Sequence, residues 1–331
     1  MEKFGKSQSV TRVEDVRLLT GHGRYVDDNT PENALHLYVF RSSVAHARIT
    51  ELDLSEARAT DGVMLVVAAQ DLHDYGITGG LGCVTVKNRD GSNAANPKHP
   101  ILAEDKVVWV GQPVAMIVAE TPEAAKDAAE LIVFDYDELP AQMELAKGET
   151  PLHSDVPGNL AFDYLLGRED ETKDAFSKAA HVIRADVADN RVMVASLEPR
   201  GCYAEWNEDR LHVSLNGQGV WGPKRELARL MELDEDKVRV TTEDVGGGFG
   251  MKAKLYPEYV MAAYAARFLD RPVRWMSDRT EAMLSDNGAR DLTHEVALAF
   301  DENHKMLGYH VKTKANLGAF NSNFGQLIQT Y

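Results

Sequence analysis

Apolar positions between Leu35 and Leu139 come in short β-branched and aromatic runs separated by polar or helix-like stretches. HLYVF (36–40), VMLVVAA (63–69) and VVWVGQPVAMIVA (107–119) have the composition of strands. TPEAAKDAAE (121–130) predicts a helix between two strands. Thr121 is placed to cap it, Pro122 suits its first turn, and the alanine pairs at 124/125 and 128/129 recur at helical spacing. The stretch 79–100 is long and polar, which fits either a functional loop or a solvated excursion. A composition shift at 141–159 reads as a linker. Beyond it, strands are predicted at 180–188, 210–216 and 237–245, a short helix at 224–233, and a helix at 257–269 with Pro257 at its start. A hairpin is predicted over 294–316, with Tyr309, Val311, Thr313 and Ala315 on one face and His310, Lys312 and Lys314 on the other. The pattern is mixed α and β in two segments.

Length and composition agree with that division. A chain of 331 residues suits two ordinary domains, and 44% hydrophobic with 27% charged residues is usual for a soluble protein. The formal net charge of -16 repels phosphate backbones and anionic membranes, so nucleic acid and membrane surfaces are not expected partners. Cys83 and Cys202, the two cysteines, are far apart and cannot by themselves hold an iron–sulfur cluster; both read as small buried hydrophobes. The histidines show no zinc-ligand spacing. The N-terminal stretch lacks a signal-peptide core, no run is long and uncharged enough to span a bilayer, and the cytoplasm is the expected compartment.

The chemistry concentrates in DVGGGFGMK (244–252), a glycine cluster at the end of a predicted strand. A dinucleotide fingerprint starting at Gly246 needs glycine where Met251 stands, and a phosphate-binding loop needs Ser or Thr where Ala253 stands. A tight turn accounts for the glycines but not for Phe249 among them. Consecutive bare amides beside an apolar ring suit an anionic or oxo ligand instead.

In this respect DVGGGFGMK resembles the molybdopterin-binding loop in the large subunit of molybdenum hydroxylases, the family of xanthine dehydrogenase, aldehyde oxidase and aerobic carbon monoxide dehydrogenase. LLTGHGRYVDD (18–28), FRSSVAHARI (40–49) and PILAEDKVVWVGQPVAMIVAET (100–121) resemble that family's hammerhead domain. SLEPRG (196–201) and RPVRWMSDRTEAML (271–284) resemble the start of its molybdenum-cofactor domain. The resemblance covers essentially the whole chain. It implies an α+β fold, with an α/β hammerhead domain over 1–145 and the first, incomplete part of a mixed α/β molybdopterin-binding domain over 146–331.

The resemblance also implies roles for residues. Gln218 matches the glutamine that donates to the apical oxo group, although Gly217 stands where the family usually has a small hydroxyl residue. The cofactor contacts fall on Gly247, Gly248, Phe249 and Gly250, with the Phe249 ring as part of the site wall. Ala253 occupies the place of a carboxylate in purine-oxidising members, which argues against xanthine and leaves an aldehyde, another N-heterocycle or carbon monoxide. Glu198 has two readings, a residue facing the active site or an ion-pair partner of Arg200 or another strand; Lys252 reads as a solvated charge.

The implied cofactor is molybdenum–molybdopterin, in its cytosine dinucleotide form if the source is bacterial. The implied reaction takes its oxygen from water and passes electrons to iron–sulfur clusters and FAD on partner subunits. The general-base glutamate is expected downstream of 331, so no catalytic residue is assigned within this chain. The chain then reads as a fragment, or as one piece of a split large subunit, that does not turn over alone. Two alternatives stand beside this: a non-catalytic assembly partner of such a complex, and a nucleotide-dependent oxidoreductase.

Overall fold

The computed structural model describes residues 10–145, 148 and 150–330. The first nine residues, part of the stretch read as lacking a signal-peptide core, lie outside it, as do Ala146, Lys147 and Glu149 of the linker and Tyr331. Among the described residues the strands are β1 (Leu35–Arg41), β2 (Ala47–Asp53), β3 (Val63–Val67), β4 (Lys106–Val107), β5 (Pro113–Ala119), β6 (Val133–Glu138), β7 (His181–Asp189), β8 (Gly201–Asn207), β9 (Arg210–Leu215), β10 (Val238–Thr241), β11 (Val273–Met276), β12 (Leu292–Phe300) and β13 (Met306–Ala315). The largest sheet runs β10-β9-β8-β11-β1-β5-β3 and draws strands from both segments of the chain. Its seam is the parallel pair β1–β11, with Leu35 opposite Val273 and His36 opposite Arg274. Two antiparallel sheets, β13-β12-β7 and β4-β2-β6, complete the architecture.

All seven residues of β5 are buried, because this strand is covered on both faces. Ala115, Ile117 and Ala119 pack toward Ala125, Ala128 and Ala129 of the helix Pro122–Glu130. Met116 and Val118 belong to the opposite core, with Leu35 and Leu37 of β1 and the helix Pro257–Leu269. That helix buries each of its first ten residues, and its alanines permit this because they let neighbouring strands approach closely. The helix Pro122–Glu130 begins as its sequence predicts: the Thr121 side chain accepts the Ala124 N–H and Pro122 fills the first turn.

Three elements differ from the sequence pattern for local reasons. The run 107–119 is not one strand. It breaks at Gly111 (φ +98°), where a Cβ would lie 2.6 Å from the Leu284 carbonyl oxygen, and at buried Gln112, whose Oε1 accepts the Val108 N–H at 2.7 Å. The strand predicted to Val245 stops at Thr241, since Glu243 and Asp244 turn to meet Arg24 and Arg17. The helix predicted from 224 starts at Trp221 instead, with Pro223 in its first turn, where a missing N–H costs nothing.

A buried ion-pair cluster joins the two segments. Arg200 lies in direct contact with Asp286, donates to Glu258 at 2.9 Å and to the Ser285 hydroxyl at 2.8 Å, and stacks 3.6 Å over the Tyr256 ring. Arg41, at the end of β1, reaches Glu258 at 2.7 Å and Glu281 at 2.6 Å. Burial alone would raise the Glu258 carboxyl; the two guanidiniums outweigh it and hold the group down at about 2.

Candidate functional site

The glycine cluster forms an exposed turn pinned at both ends. At its start, Asp244 is gripped by the Arg17 guanidinium and accepts the Arg24 N–H at 2.8 Å, so its carboxyl is lowered to about 2, chiefly by Arg17. At its end, Lys252 is 2% exposed and donates to the Glu198 carbonyl at 2.8 Å and the Glu198 carboxylate at 3.1 Å. The same carboxylate accepts the Gly246 N–H at 2.7 Å. One expectation is corrected here: Lys252 is not a solvated charge. The ion pair read for Glu198 is present, with Lys252 rather than Arg200 as its partner. Burial lowers the Lys252 ammonium pKa and Glu198 opposes that shift.

Between these anchors the backbone is stripped and strained. Phe249 takes φ +52°, a left-handed conformation costing a bulky residue on the order of 1–2 kcal/mol. Its ring leans back over Gly247, where a Cβ would meet it at 2.8 Å, and remains 78% exposed. At Gly248 a Cβ would fall 2.4 Å from the Gln218 carboxamide carbon. Gly250 adopts φ +87° with open space beside it. The N–H groups of Gly247, Gly248 and Phe249 meet no acceptor among the described residues. Successive unpaired amides of this kind form a concavity that attracts anions and oxo groups.

Gln218 reaches this turn from the end of β9. Its own N–H donates to the Lys252 carbonyl at 3.0 Å, and its Oε1 accepts the Gly250 N–H at 2.8 Å. A backbone N–H only donates, so it fixes the carboxamide orientation: oxygen inward, NH2 outward as an unused donor. Asn216 sets the approach by accepting the Gly201 N–H at 3.0 Å and donating to the Pro199 carbonyl at 2.7 Å. Gly217 is explained by packing. A Cβ there would come 2.2 Å from Cδ1 of buried Leu215, so a larger residue needs that core leucine to move.

A molybdopterin cofactor-binding domain model matches residues 152–331, and an aldehyde oxidase and xanthine dehydrogenase a/b hammerhead domain model matches 20–140. The chain belongs to the molybdenum hydroxylase large-subunit family. It is 35% identical over 320 residues to the 6-hydroxypseudooxynicotine dehydrogenase complex subunit gamma of Paenarthrobacter nicotinovorans, covering 95% of this chain and 39% of that one. It is 34% identical over 325 residues to the nicotine 6-hydroxylase large subunit of the same organism, covering 94% of this chain and 38% of the relative. The solved CO dehydrogenase from Oligotropha carboxidovorans superposes with a TM-score of 0.81 at 30% identity, covering 92% of this chain and 39% of that chain. The chain therefore spans about two fifths of the length of these relatives. Among its described residues, no helix is long and apolar enough to cross a membrane.

The residues present fit the group that this family carries. The outward carboxamide donor of Gln218, the unpaired amides of Gly247–Phe249 and the open side of Gly250 form one donor-rich surface bounded by the Phe249 ring. Ala253, whose N–H donates to the Gly250 carbonyl at 3.2 Å, lies in the wall of a cleft of about 410 Å³. The cleft is bounded by 81–84 of the hammerhead segment, the start of the helix Trp221–Leu230, residues 253–255 and residues 321–324. The polar stretch 79–100 is thus a cleft wall: the Val84 N–H donates to the Asn323 carbonyl at 2.6 Å and Asn321 donates to the Ala95 carbonyl at 2.8 Å. Cys83 lines this cleft and is half-exposed, unlike buried Cys202, which corrects the reading of both as core residues. Sequence reasoning missed His99 and Lys254 in the cleft; the position of Lys254 beside Ala253 was the one available signal.

Proposed function

We propose that this chain cradles the molybdopterin end of a molybdenum hydroxylase centre and forms one wall of its substrate cleft, within a complex that oxidises an N-heterocyclic or aromatic aldehyde substrate. The observation that carries the reading is the Gln218–Gly250 hydrogen bond, which holds the carboxamide oxygen on the bare backbone and leaves its NH2 as a fixed, unused donor. When bound, the group supplies two-electron oxidation with water as the oxygen source. The protein's part is positioning: Gln218 offers one hydrogen bond, Gly247, Gly248 and Phe249 present their amides, and the Phe249 ring shields one side. A cleft of about 410 Å³ exceeds the needs of a two-atom gas, which favours an organic substrate over carbon monoxide. Two relatives whose names specify nicotine-derived substrates support the heterocyclic class. A cytosine dinucleotide extension of the cofactor, iron–sulfur and FAD partner subunits, further large-subunit polypeptide bearing the base glutamate, and a cytoplasmic setting complete the proposal.

Metal analysis tests it. The complex carrying this chain is expected to contain molybdenum at about one atom per copy, and Gly248→Val, which drives a side chain into Gln218, is expected to lower that occupancy several-fold. Wild-type complex purified without molybdenum, from cells able to make the cofactor, would falsify the reading.

A further inference from the structure

The cleft beside Ala253 holds cations that the fold leaves unanswered. Lys254 lines it, and its ammonium forms no ion pair or hydrogen bond among the described residues; Nζ lies 4.5 Å from the centre of the Tyr256 ring. Arg225, exposed on the helix Trp221–Leu230, also lines the cleft and likewise makes no described ion pair. The nearby carboxylates are committed elsewhere. Glu226 accepts from Arg229 at 2.6 Å and from the Gly82 N–H at 2.6 Å, Glu258 serves Arg200 and Arg41, and Asp286 serves Arg200. In a protein with net charge -16, two basic side chains without an ion-pair partner among the described residues, lining one concave surface, are out of keeping with the whole.

The third feature is neutral. His99 lines the same cleft, stacked 4.5 Å from the Phe320 ring, and its buried Nε2 has no partner among the described residues. Burial lowers this imidazole to about 3, so it stays uncharged and offers a hydrogen bond rather than a charge. Phe324 supplies an apolar wall. A cationic anchor, an unsatisfied ring nitrogen and an aromatic surface together describe a planar ring bearing an acidic substituent.

We infer that the cleft selects substrates carrying a carboxylate, with Lys254 as the anchor and Arg225 beside it; this rests on the proposed site and names its substrate class. Desolvation, aided by Arg200, brings the Lys254 ammonium down to about 7, and an arriving carboxylate supplies the counter-charge that the fold withholds. The same lysine discriminates against neutral analogues, which leave it unpaired.

The test uses this chain purified with whatever subunits accompany it, titrated calorimetrically with pyridine-3-carboxylate and with the isosteric neutral pyridine-3-carboxamide. The carboxylate is expected to bind roughly ten-fold tighter or better. Lys254→Met is expected to cut that preference to about three-fold or less, by weakening the carboxylate and by relieving the penalty on the carboxamide. Equal wild-type affinities, no measurable carboxylate binding at millimolar concentration, or an undiminished preference in folded Lys254→Met would each overturn the inference. Should Lys254→Met not fold, the wild-type pair of titrations still decides. Molybdenum content is measured on the same samples, so a metal-free protein that prefers the carboxylate sinks the cofactor reading alone, and a molybdenum-bearing one without the preference sinks only this inference.

Discussion

Gln218→Ala lowers turnover of the assembled complex by about 10²–10³-fold, the loss that follows removal of one preorganised donor from a reacting centre. The size follows from how the carboxamide is held. Its oxygen is fixed by the Gly250 N–H at 2.8 Å and its backbone by the Lys252 carbonyl at 3.0 Å, so the NH2 needs no reorganisation to act. Alanine removes two things together, the outward donor and the acceptor that satisfies Gly250. Gln218→Glu separates them, because a carboxylate still accepts from Gly250 but offers no outward donor. Both variants are expected to lose turnover to a similar degree while retaining molybdenum. A Gln218→Glu complex running near the wild-type rate would show that the side chain serves the loop and not the reaction.

Arg200→Met carries the largest expected cost in stability, about 3–5 kcal/mol, because it removes the ion-pair partner of Asp286 and leaves Glu258 with Arg41 alone, in a region where Arg200 itself is 1% exposed. Chemical denaturation of the variant against wild type measures it. The pH dependence identifies the cause. In the wild type Glu258 is held at about 2, below its ordinary value of 4.5, so its contribution is fully present above about 4.5 and is lost as pH falls toward 2. Without Arg200 only Arg41 opposes burial and the Glu258 carboxyl moves upward, so the variant loses less on acidification. The stability gap between the two proteins therefore narrows as the solution is taken from pH 6 to about pH 3. A gap that stays constant over that range would assign the loss to packing against Tyr256 and Trp275 instead.

Much of the candidate site's backbone is legible in the sequence, because its signals are local. Three consecutive glycines before Phe249 report a backbone that side chains must leave clear, and the left-handed φ at Phe249 and Gly250 is what such a sequence permits. Helix Pro257–Leu269 was legible to its end residues, since proline at the start and an alanine-rich interior act within one or two turns. The run 107–119 misled for the converse reason. Its apolar pattern is continuous, but Gly111 must make room for Leu284, a residue far away in sequence.

What the sequence by itself determined is the family, the mixed α and β character and the glycine-rich turn to which the cofactor role is proposed, all written in contiguous residues whose backbone requirements are fixed within a few positions. What only the tertiary structure decided is which charges are answered. Lys252 is neutralised by Glu198 from 54 positions away, Glu258 by arginines at 41 and 200, and Lys254 by none of the described residues. Charge pairing depends on distance in space and on exclusion of water, and neither is set until strands from both halves of the chain close into one sheet.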